Sequence, residues 1–366
     1  MIKHKEDEKK YQNVFSLIEE WTKRHWSYLA GGAFLVIAIS MGLLAYALHT
    51  PSLNEEQIIV ENTETESMSL DGLVPRCLDG IMVPEDQSCL LPRAVMIENH
   101  IDARPLAGIS QASIVFEAPV EGGITRLMAI FDASSTVQEI GPVRSARPYY
   151  VEWAQSLGAI YAHVGGSPEA LNRIGGLINF KNLDEMAGEK YFWRSKSRSA
   201  PHNVFTSSEN LNQVQEKKQW SASKFIPWVF VDRDPDFSAG NIREITIPYY
   251  GSYKVKWVYE ADSDSYARYV GNTLDKDKNN SNIYYKNILV IFTEERILDD
   301  VGRLFIRTTG SGKALYFSGG EVTESVWSRN PNEFYIIKTT DGRDIGFIRG
   351  NTWINIVSLS EYEPIY

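Results

Sequence analysis

Cysteine is scarce in this 366-residue chain, and acidic residues outnumber basic ones. Only Cys77 and Cys89 occur, so a cysteine-rich zinc site is excluded. The formal net charge is −10, whereas sequence-independent binding to nucleic acid needs a basic surface. We therefore expect no nucleic-acid partner, and we predict neither a metal nor another cofactor.

Several well-known motifs are absent or incomplete. The chain contains no GxSxG and no HExxH. Residues 310–313 resemble a P-loop fragment, but the earlier glycine and the Ser or Thr after the lysine are missing. Residues 275–280 resemble the start of an EF-hand loop, but Asn280 replaces its glycine and Lys286 its final glutamate. We therefore predict a solvated turn there.

A long apolar run, residues 27–48, contains no charged residue and is long enough to cross a bilayer as a helix. Lysines and arginines precede it, whereas no Lys or Arg follows it before Arg76. By the positive-inside rule the N-terminus is then cytoplasmic, and the chain after about residue 50 lies outside. No cysteine follows the run directly, which argues against a lipoprotein anchor. The alternative is a buried core helix of a soluble protein.

The two cysteines flank a short loop. Outside the cytoplasm disulfides persist, and turn-forming residues Asp79, Gly80 and Pro84 lie between Cys77 and Cys89. We therefore predict a disulfide between them. Two free buried thiols are the alternative.

The remaining segments differ in composition. Residues 1–26 are predicted to form a charged cytoplasmic tail, and residues 49–75 a flexible, acidic linker. Alternating strand and helix patterns over 76–237 indicate an α/β-like domain with a mixed sheet. Strand patterns and hairpin signals over 238–366 indicate a mostly β domain. The fold class predicted for the whole chain is α+β.

Carboxylates and histidines in the first domain are candidate acids and bases. Glu117 and Glu121 stand at the end of an apolar strand, and His163 lies one residue before the end of another strand, just before a glycine turn. His202 lies in a long loop that is rich in aromatic and basic residues. The alternatives are surface glutamates that bracket a turn and a core histidine bonded to backbone.

Basic and aromatic residues of the same domain are candidate contacts for an anionic or glycan ligand. Arginine side chains bind carboxylate or phosphate, a glycine turn before a helix offers N–H donors, and aromatic rings stack on sugars. The predicted ligand-binding residues are Arg104, Arg126, Arg144, Arg147, Tyr149, Gly165, Gly166, Ser167, Trp193, Arg194 and Asn203. Equally, Arg144 and Arg147 could pair within the protein with Glu117, Glu121 or Asp184.

Several sequence blocks together resemble the DUF3048 family, and the resemblance covers roughly residues 75–360. The blocks include AVMIEN at 94–99, GPVRSAR at 141–147, HVGGS at 163–167 and APHN at 200–203. The resemblance implies a two-domain, extracytoplasmic, envelope-anchored bacterial protein with no established activity. The chain departs from the lipoproteins of this family because it has an apolar run instead of a lipidated cysteine.

Three hypotheses follow for a single-pass protein of the bacterial cytoplasmic membrane. The leading one is a binding module for peptidoglycan, an anionic wall polymer or a cell-wall enzyme. The second is a hydrolase or transferase that acts on glycan or phosphodiester bonds, with the glutamates and histidines above as acid and base. The third is a purely structural protein, in which the arginines are all paired internally.

Overall fold

The computed structural model describes residues 72–188, 190–222, 225–234, 237–249 and 254–361, together with Tyr366 and residues 21 and 23–25. Two compact units are present, Met1–Ser69 and Leu70–Tyr366. The predicted span at 27–48 lies outside the described residues. Within the described part of the chain, no helix is both long enough and apolar enough to cross a membrane.

The larger unit consists mainly of strands. In chain order they are β1 (Leu73–Pro75), β2 (Met82–Pro84), β3 (Arg93–Glu98), β4 (Ile114–Val120), β5 (Ile124–Phe131), β6 (Ile160–His163), β7 (Asn182–Asp184), β8 (Trp193–Arg194), β9 (Val204–Phe205), β10 (Val229–Val231), β11 (Glu244–Ile247), β12 (Val255–Glu260), β13 (Ser265–Val270), β14 (Thr273–Leu274), β15 (Tyr284–Tyr285), β16 (Asn287–Thr293), β17 (Glu295–Ile297), β18 (Leu304–Ile306), β19 (Gly310–Ser318), β20 (Glu321–Arg329), β21 (Ile336–Thr339), β22 (Gly346–Ile348) and β23 (Thr352–Ser358). The α-helices described in this unit are α1 (Pro148–Ser156), α2 (Pro168–Gly176) and α3 (Ser208–Lys218).

A ten-stranded mixed sheet forms the centre, in the order β21-β20-β19-β16-β23-β4-β5-β3-β6-β7. Strand β23, close to the C-terminus, lies parallel to both of its neighbours, β16 and β4. Strands from both sides of the predicted boundary near residue 237 therefore belong to one sheet. The boundary itself stays a prediction.

The central strands are buried on both faces, which explains their nearly continuous apolar sequences. On one face Trp153 of α1 stacks on Phe116 of β4, with ring centroids 4.8 Å apart. On the other face a five-stranded antiparallel sheet, β11 to β15, places Trp257 against Trp353 at 5.1 Å. Each face of the sheet thus has its own aromatic core.

The predicted α+β class with a mixed sheet is confirmed. Two helices begin with proline in their first turn, and Ser167 caps α2 by accepting from the N–H of Ala170 at 3.3 Å. After α3, the described residues contain strands and short 3-10 turns but no α-helix. The predicted disulfide is also confirmed: Cys77 and Cys89 are bonded, with Cα atoms 5.2 Å apart.

Candidate functional site

The loop between β5 and α1, residues 141–147, is held by backbone hydrogen bonds. The N–H of Arg144 donates to the carbonyl of Met96 in β3 at 2.9 Å. The N–H of Ala146 donates to the carbonyl of Gly165 at 2.9 Å. These contacts fix the backbone from which the two arginine side chains of the loop extend.

Both arginines of this loop form ion pairs with glutamates. Arg147 donates from Nε and Nη2 to the two carboxylate oxygens of Glu121, at 2.6 and 2.7 Å. Arg144 pairs with Glu98, the last residue of β3. Both arginines of the loop therefore form the ion pairs within the protein that the third hypothesis, a purely structural protein, requires.

Arg126 lies beside this loop and differs from the other two arginines. It stands opposite Glu98 in the β3–β5 pair and is only 4% exposed. Its Nη1 donates to the carbonyl of Ser145 at 3.0 Å, whereas its buried Nε has no hydrogen-bond partner. No described carboxylate forms an ion pair with Arg126. We call Arg126, Arg144 and Arg147 the arginine cluster.

The charges of the arginine cluster shift the pKa values around it. Burial raises the pKa of Glu98, but Arg126 and Arg144 outweigh burial and hold this pKa below its ordinary value. Burial also raises the pKa of Glu121, and its hydrogen-bonded partner Arg147 outweighs that effect. Burial lowers the pKa of Arg126, and the charges of Arg147 and Arg144 lower it further against the opposing charge of Glu98. Three guanidinium groups beside two carboxylates leave positive charge in excess.

Glu117, a predicted acid or base, is fully buried within β4. Its carboxylate accepts from the Nη2 of Arg268 at 3.0 and 2.9 Å and from the indole of Trp353 at 3.0 Å. Thr125 donates to it at 2.7 Å and Asn99 at 3.1 Å. Both oxygens are thus occupied by donors of the protein. In this arrangement the carboxylate stabilises the fold and does not face solvent.

A chain of charged groups extends from Glu117. The carboxylate of Asp275 links Arg268 to Arg104, which also donates to Asn99. Burial lowers the pKa of Arg268, but Glu117 and Asp275 outweigh burial and raise it. We call these five residues the buried network. It engages Arg104, a predicted ligand-binding residue, and joins the central sheet to the second sheet.

His163, at the end of β6, is also fully buried. Its Nδ1 lies 2.7 Å from the carbonyl oxygen of Gly165, and its Nε2 lies 2.7 Å from Oδ1 of Asn182. The N–H of Gly165 donates to Oδ1 of Asp184 at 2.8 Å. At the predicted anion-binding turn, residues 165–167, a carboxylate of the protein therefore takes the place expected for a ligand.

The two aromatic residues predicted to stack on sugars differ in exposure. Tyr149 is buried in α1, and its hydroxyl donates to the carbonyl of Pro119 at 2.8 Å. Trp193 is 38% exposed and lines an open cleft of about 610 Å³. The other side chains of this cleft are mostly polar: Gln111, Thr136, Gln138, Glu139, Asp277, Lys278 and Asn279. Of the two rings, that of Trp193 is the one that a ligand in solution can reach.

Arg194 and Asn203 meet near the β8–β9 pair. Arg194 pairs with Glu185 at 2.9 Å, and its Nη1 donates to Oδ1 of Asn203 at 3.3 Å. The predicted site residues therefore fall into several groups. The arginine cluster and Glu121 lie together, whereas Glu117 and Arg104 belong to the buried network.

Two family models match the chain. The model described as "Protein of unknown function (DUF3048) N-terminal domain" matches residues 79–221, and the model of its C-terminal domain matches residues 245–354. The chain belongs to the DUF3048 family. The resemblance inferred from the sequence blocks is thus confirmed.

A relative in this family comes from Bacillus subtilis. The candidate lipoprotein YerB of strain 168 is 32% identical over 289 residues, which cover 76% of this chain and 85% of YerB. The crystal structure of YerB matches this DUF3048 chain with a TM-score of 0.69 and 30% identity, over 78% of this chain and 96% of the YerB chain. The chain therefore shares both sequence and fold with YerB over most of its length.

Three further residues of this DUF3048 chain, which sequence reasoning did not select, adjoin the arginine cluster. Glu98 pairs with Arg144 and lies 3.6 Å from Nδ1 of His202. The ring of His100 stacks on that of His202 with centroids 5.4 Å apart, and Asp102 lies beside His100. One sequence signal could have pointed to these residues: Glu98, His100 and Asp102 occupy every second position at the end of an apolar strand. His202 is distant in the chain, so spacing alone could not add it.

Proposed function

We propose that this chain is an extracytoplasmic protein of the bacterial cell envelope, attached by a single membrane span at residues 27–48 with its N-terminus inside. Its relative YerB is named as a candidate lipoprotein, and lipoproteins are attached to membranes by lipid. The disulfide between Cys77 and Cys89 supports an oxidising compartment. In this proposal the apolar run takes the place of the lipid anchor.

The proposed activity is the binding of an anionic ligand at the arginine cluster. The observation that carries it is the state of Arg126, which is buried beside Arg144 and Arg147, forms no ion pair with a described carboxylate, and is only partly compensated by the charge of Glu98. A buried charge with no compensation at all costs several kcal/mol, on the order of 3–5, and an incompletely compensated one costs part of this. An anion that reaches this guanidinium recovers part of that cost, so the free protein is prepared to bind negative charge.

Arg144 and Arg147 define the entrance in this proposal. Both are partly exposed, and their glutamate partners hold them in place. Arginine binds carboxylate and phosphate in the same forked geometry. Peptidoglycan carboxylates and the phosphates of anionic wall polymers are therefore the proposed ligands. The exposed ring of Trp193, in a cleft of polar side chains, offers a stacking face to the sugars of such a polymer.

The test compares the full chain in detergent micelles with its Arg126→Met variant. Soluble peptidoglycan fragments and phosphate-bearing wall-polymer fragments are titrated separately, and binding is followed by calorimetry. Loss of one charge-assisted contact costs about 1.5–3 kcal/mol, so affinity should fall roughly tenfold to a hundredfold. The control is Arg343→Met, because Arg343 is exposed and pairs only with nearby Asp341.

Affinity that is unchanged in Arg126→Met contradicts the proposal, as does equal loss in both variants. Binding to neither fragment removes wall polymers as ligands and directs attention to a cell-wall enzyme with an acidic surface. Mass spectrometry of the fragments after incubation tests for turnover. Cleavage products from the wild-type protein would instead support the hydrolase hypothesis, in which Glu121 and His202 are the candidates that are not fully buried.

A further inference from the structure

Two histidines and one aspartate converge at the surface next to Glu98. His100 and Asp102 belong to the turn that follows β3, and His202 precedes β9. One potential ligand atom from each of the three residues lies within 4.8 Å of the other two. Imidazole and carboxylate groups are the ligands that zinc and other divalent transition metals accept in proteins.

The distances fit a small ion after modest movement. Nδ1 of His100 lies 3.5 Å from Oδ2 of Asp102. In a tetrahedral zinc site, metal–ligand distances of about 2.0–2.2 Å place neighbouring ligand atoms about 3.4 Å apart. Asp102 is 70% exposed and His100 is partly exposed, so both side chains can adjust. Nδ1 of His100 accepts from the N–H of Asp102 at 3.2 Å, and a metal bound at this atom would displace that hydrogen bond.

His202 is the more enclosed ligand, and its surroundings suit coordination. Its Nδ1 is buried without a hydrogen-bond partner, 3.6 Å from the carboxylate of Glu98. Carboxylates that do not themselves touch the metal commonly accept from metal-binding histidines and orient their rings.

We propose that His100, Asp102 and His202 bind one Zn²⁺ ion and leave its fourth position open to water or to an external ligand. Zn²⁺ is the best match because two imidazoles and one carboxylate form a common three-residue zinc set. These three residues lie next to the arginine cluster, because Glu98 pairs with Arg144 on one side and faces His202 on the other. The metal site does not depend on the proposed anion binding, because it rests on different side chains.

The experiment titrates Zn²⁺ alone into metal-free full chain in detergent micelles by calorimetry, with excess Mg²⁺ present to occupy sites made only of oxygen. Wild-type protein should bind one equivalent of Zn²⁺. His100→Ala and His202→Ala should each weaken binding at least about a hundredfold, since loss of a residue that merely orients a metal ligand already costs about 10–100-fold. His25→Ala is the matched control, because it removes a histidine outside the cluster and should leave the affinity unchanged.

Circular dichroism and the unfolding temperature show whether each variant is folded, and the partly exposed His100 provides the safer substitution. The absence of zinc binding by the wild-type protein overturns the proposal. Binding that persists in both cluster variants, or that falls equally in His25→Ala, also overturns it. None of these results tests the role of Arg126, so the metal site and the anion site are tested independently.

Discussion

Replacing Glu117 with glutamine should destabilise the protein strongly, although the two side chains have nearly the same shape. The carboxylate accepts from Arg268, Asn99, Thr125 and Trp353. The amide NH₂ of glutamine is itself a donor and could not accept from these groups. Arg268 would also keep only Asp275 as its charged partner. Breaking a buried ion pair from one side costs about 3–5 kcal/mol. This is a large part of the roughly 5–15 kcal/mol that stabilises a typical protein.

Calorimetric unfolding of the full chain in detergent micelles provides the measurement. One kcal/mol shifts the midpoint by about 2–4 °C in proteins of 150–250 residues, and by the lower value in larger ones, so the expected loss is about 6–10 °C. Glu324→Gln makes the same chemical change on an exposed strand, where Glu324 is 58% exposed and pairs with Lys313 at 3.7 Å. It should cost less than about 1 kcal/mol. If Glu117→Gln unfolds at the same temperature as this control, the buried network does not stabilise the fold.

Three smaller effects are also expected. Replacing both Cys77 and Cys89 with alanine removes a cross-link of sequence separation 12 and should lower the free energy of unfolding by about 3 kcal/mol in urea titrations. The lowered pKa of Glu121 makes its ion pair stabilising above the ordinary value of 4.5, and this contribution is lost as pH falls through the lowered value. Stability measured from about pH 5 to pH 3 should therefore fall more steeply in wild type than in Glu121→Gln. Asp277→Asn weakens contacts with three donors of the neighbouring loop and should cost about 1–3 kcal/mol by the same titration.

Much of the fold was predictable because local patterns are strong in this chain. Prolines at 148 and 168 stand in the first turns of α1 and α2, as their positions indicated. Some strands after residue 238, such as β12, alternate in burial, and others, such as β19 and β20, flank a hairpin signal. The insertion of β23 between β16 and β4 was not predictable, because parallel pairing of distant strands leaves no local mark in the sequence.

The types of residue in the candidate site were predictable from the sequence, but most of their ion-pair partners were not. The loop at 141–147 was singled out for Arg144 and Arg147, and the structure gives both a glutamate partner. For Arg147 the partner is Glu121, one of the alternatives considered. Pairing of Arg144 with Glu98 depends on the register of β3 against the loop, which the sequence does not state.

Glu117 and the histidine pair also have partners that the sequence does not reveal. Glu117 stood out because it ends an apolar strand, yet its partner Arg268 comes from a distant β-hairpin. His100 and His202 were not connected at all, because they meet only after two distant loops fold together. Long-range contacts decide whether a charged side chain is buried, paired or available, and such contacts are invisible to spacing rules.

Arg126 offers the sharpest distinction between a binding function and a structural one. Unfolding of wild type and Arg126→Met should be measured with and without a wall-polymer fragment at about a hundredfold excess over its dissociation constant, where binding adds about 2.7 kcal/mol of stability. Without the fragment, the variant should be at least as stable as wild type, because burial and the charges of Arg147 and Arg144 outweigh the attraction of Arg126 to Glu98. With the fragment at the same concentration, the variant should gain only about 0.4–1.4 kcal/mol, because a tenfold to hundredfold loss of affinity leaves it at about ten times to one times its own dissociation constant. A variant that is less stable alone but gains as much from the fragment would make Arg126 a structural residue and contradict anion binding at the arginine cluster.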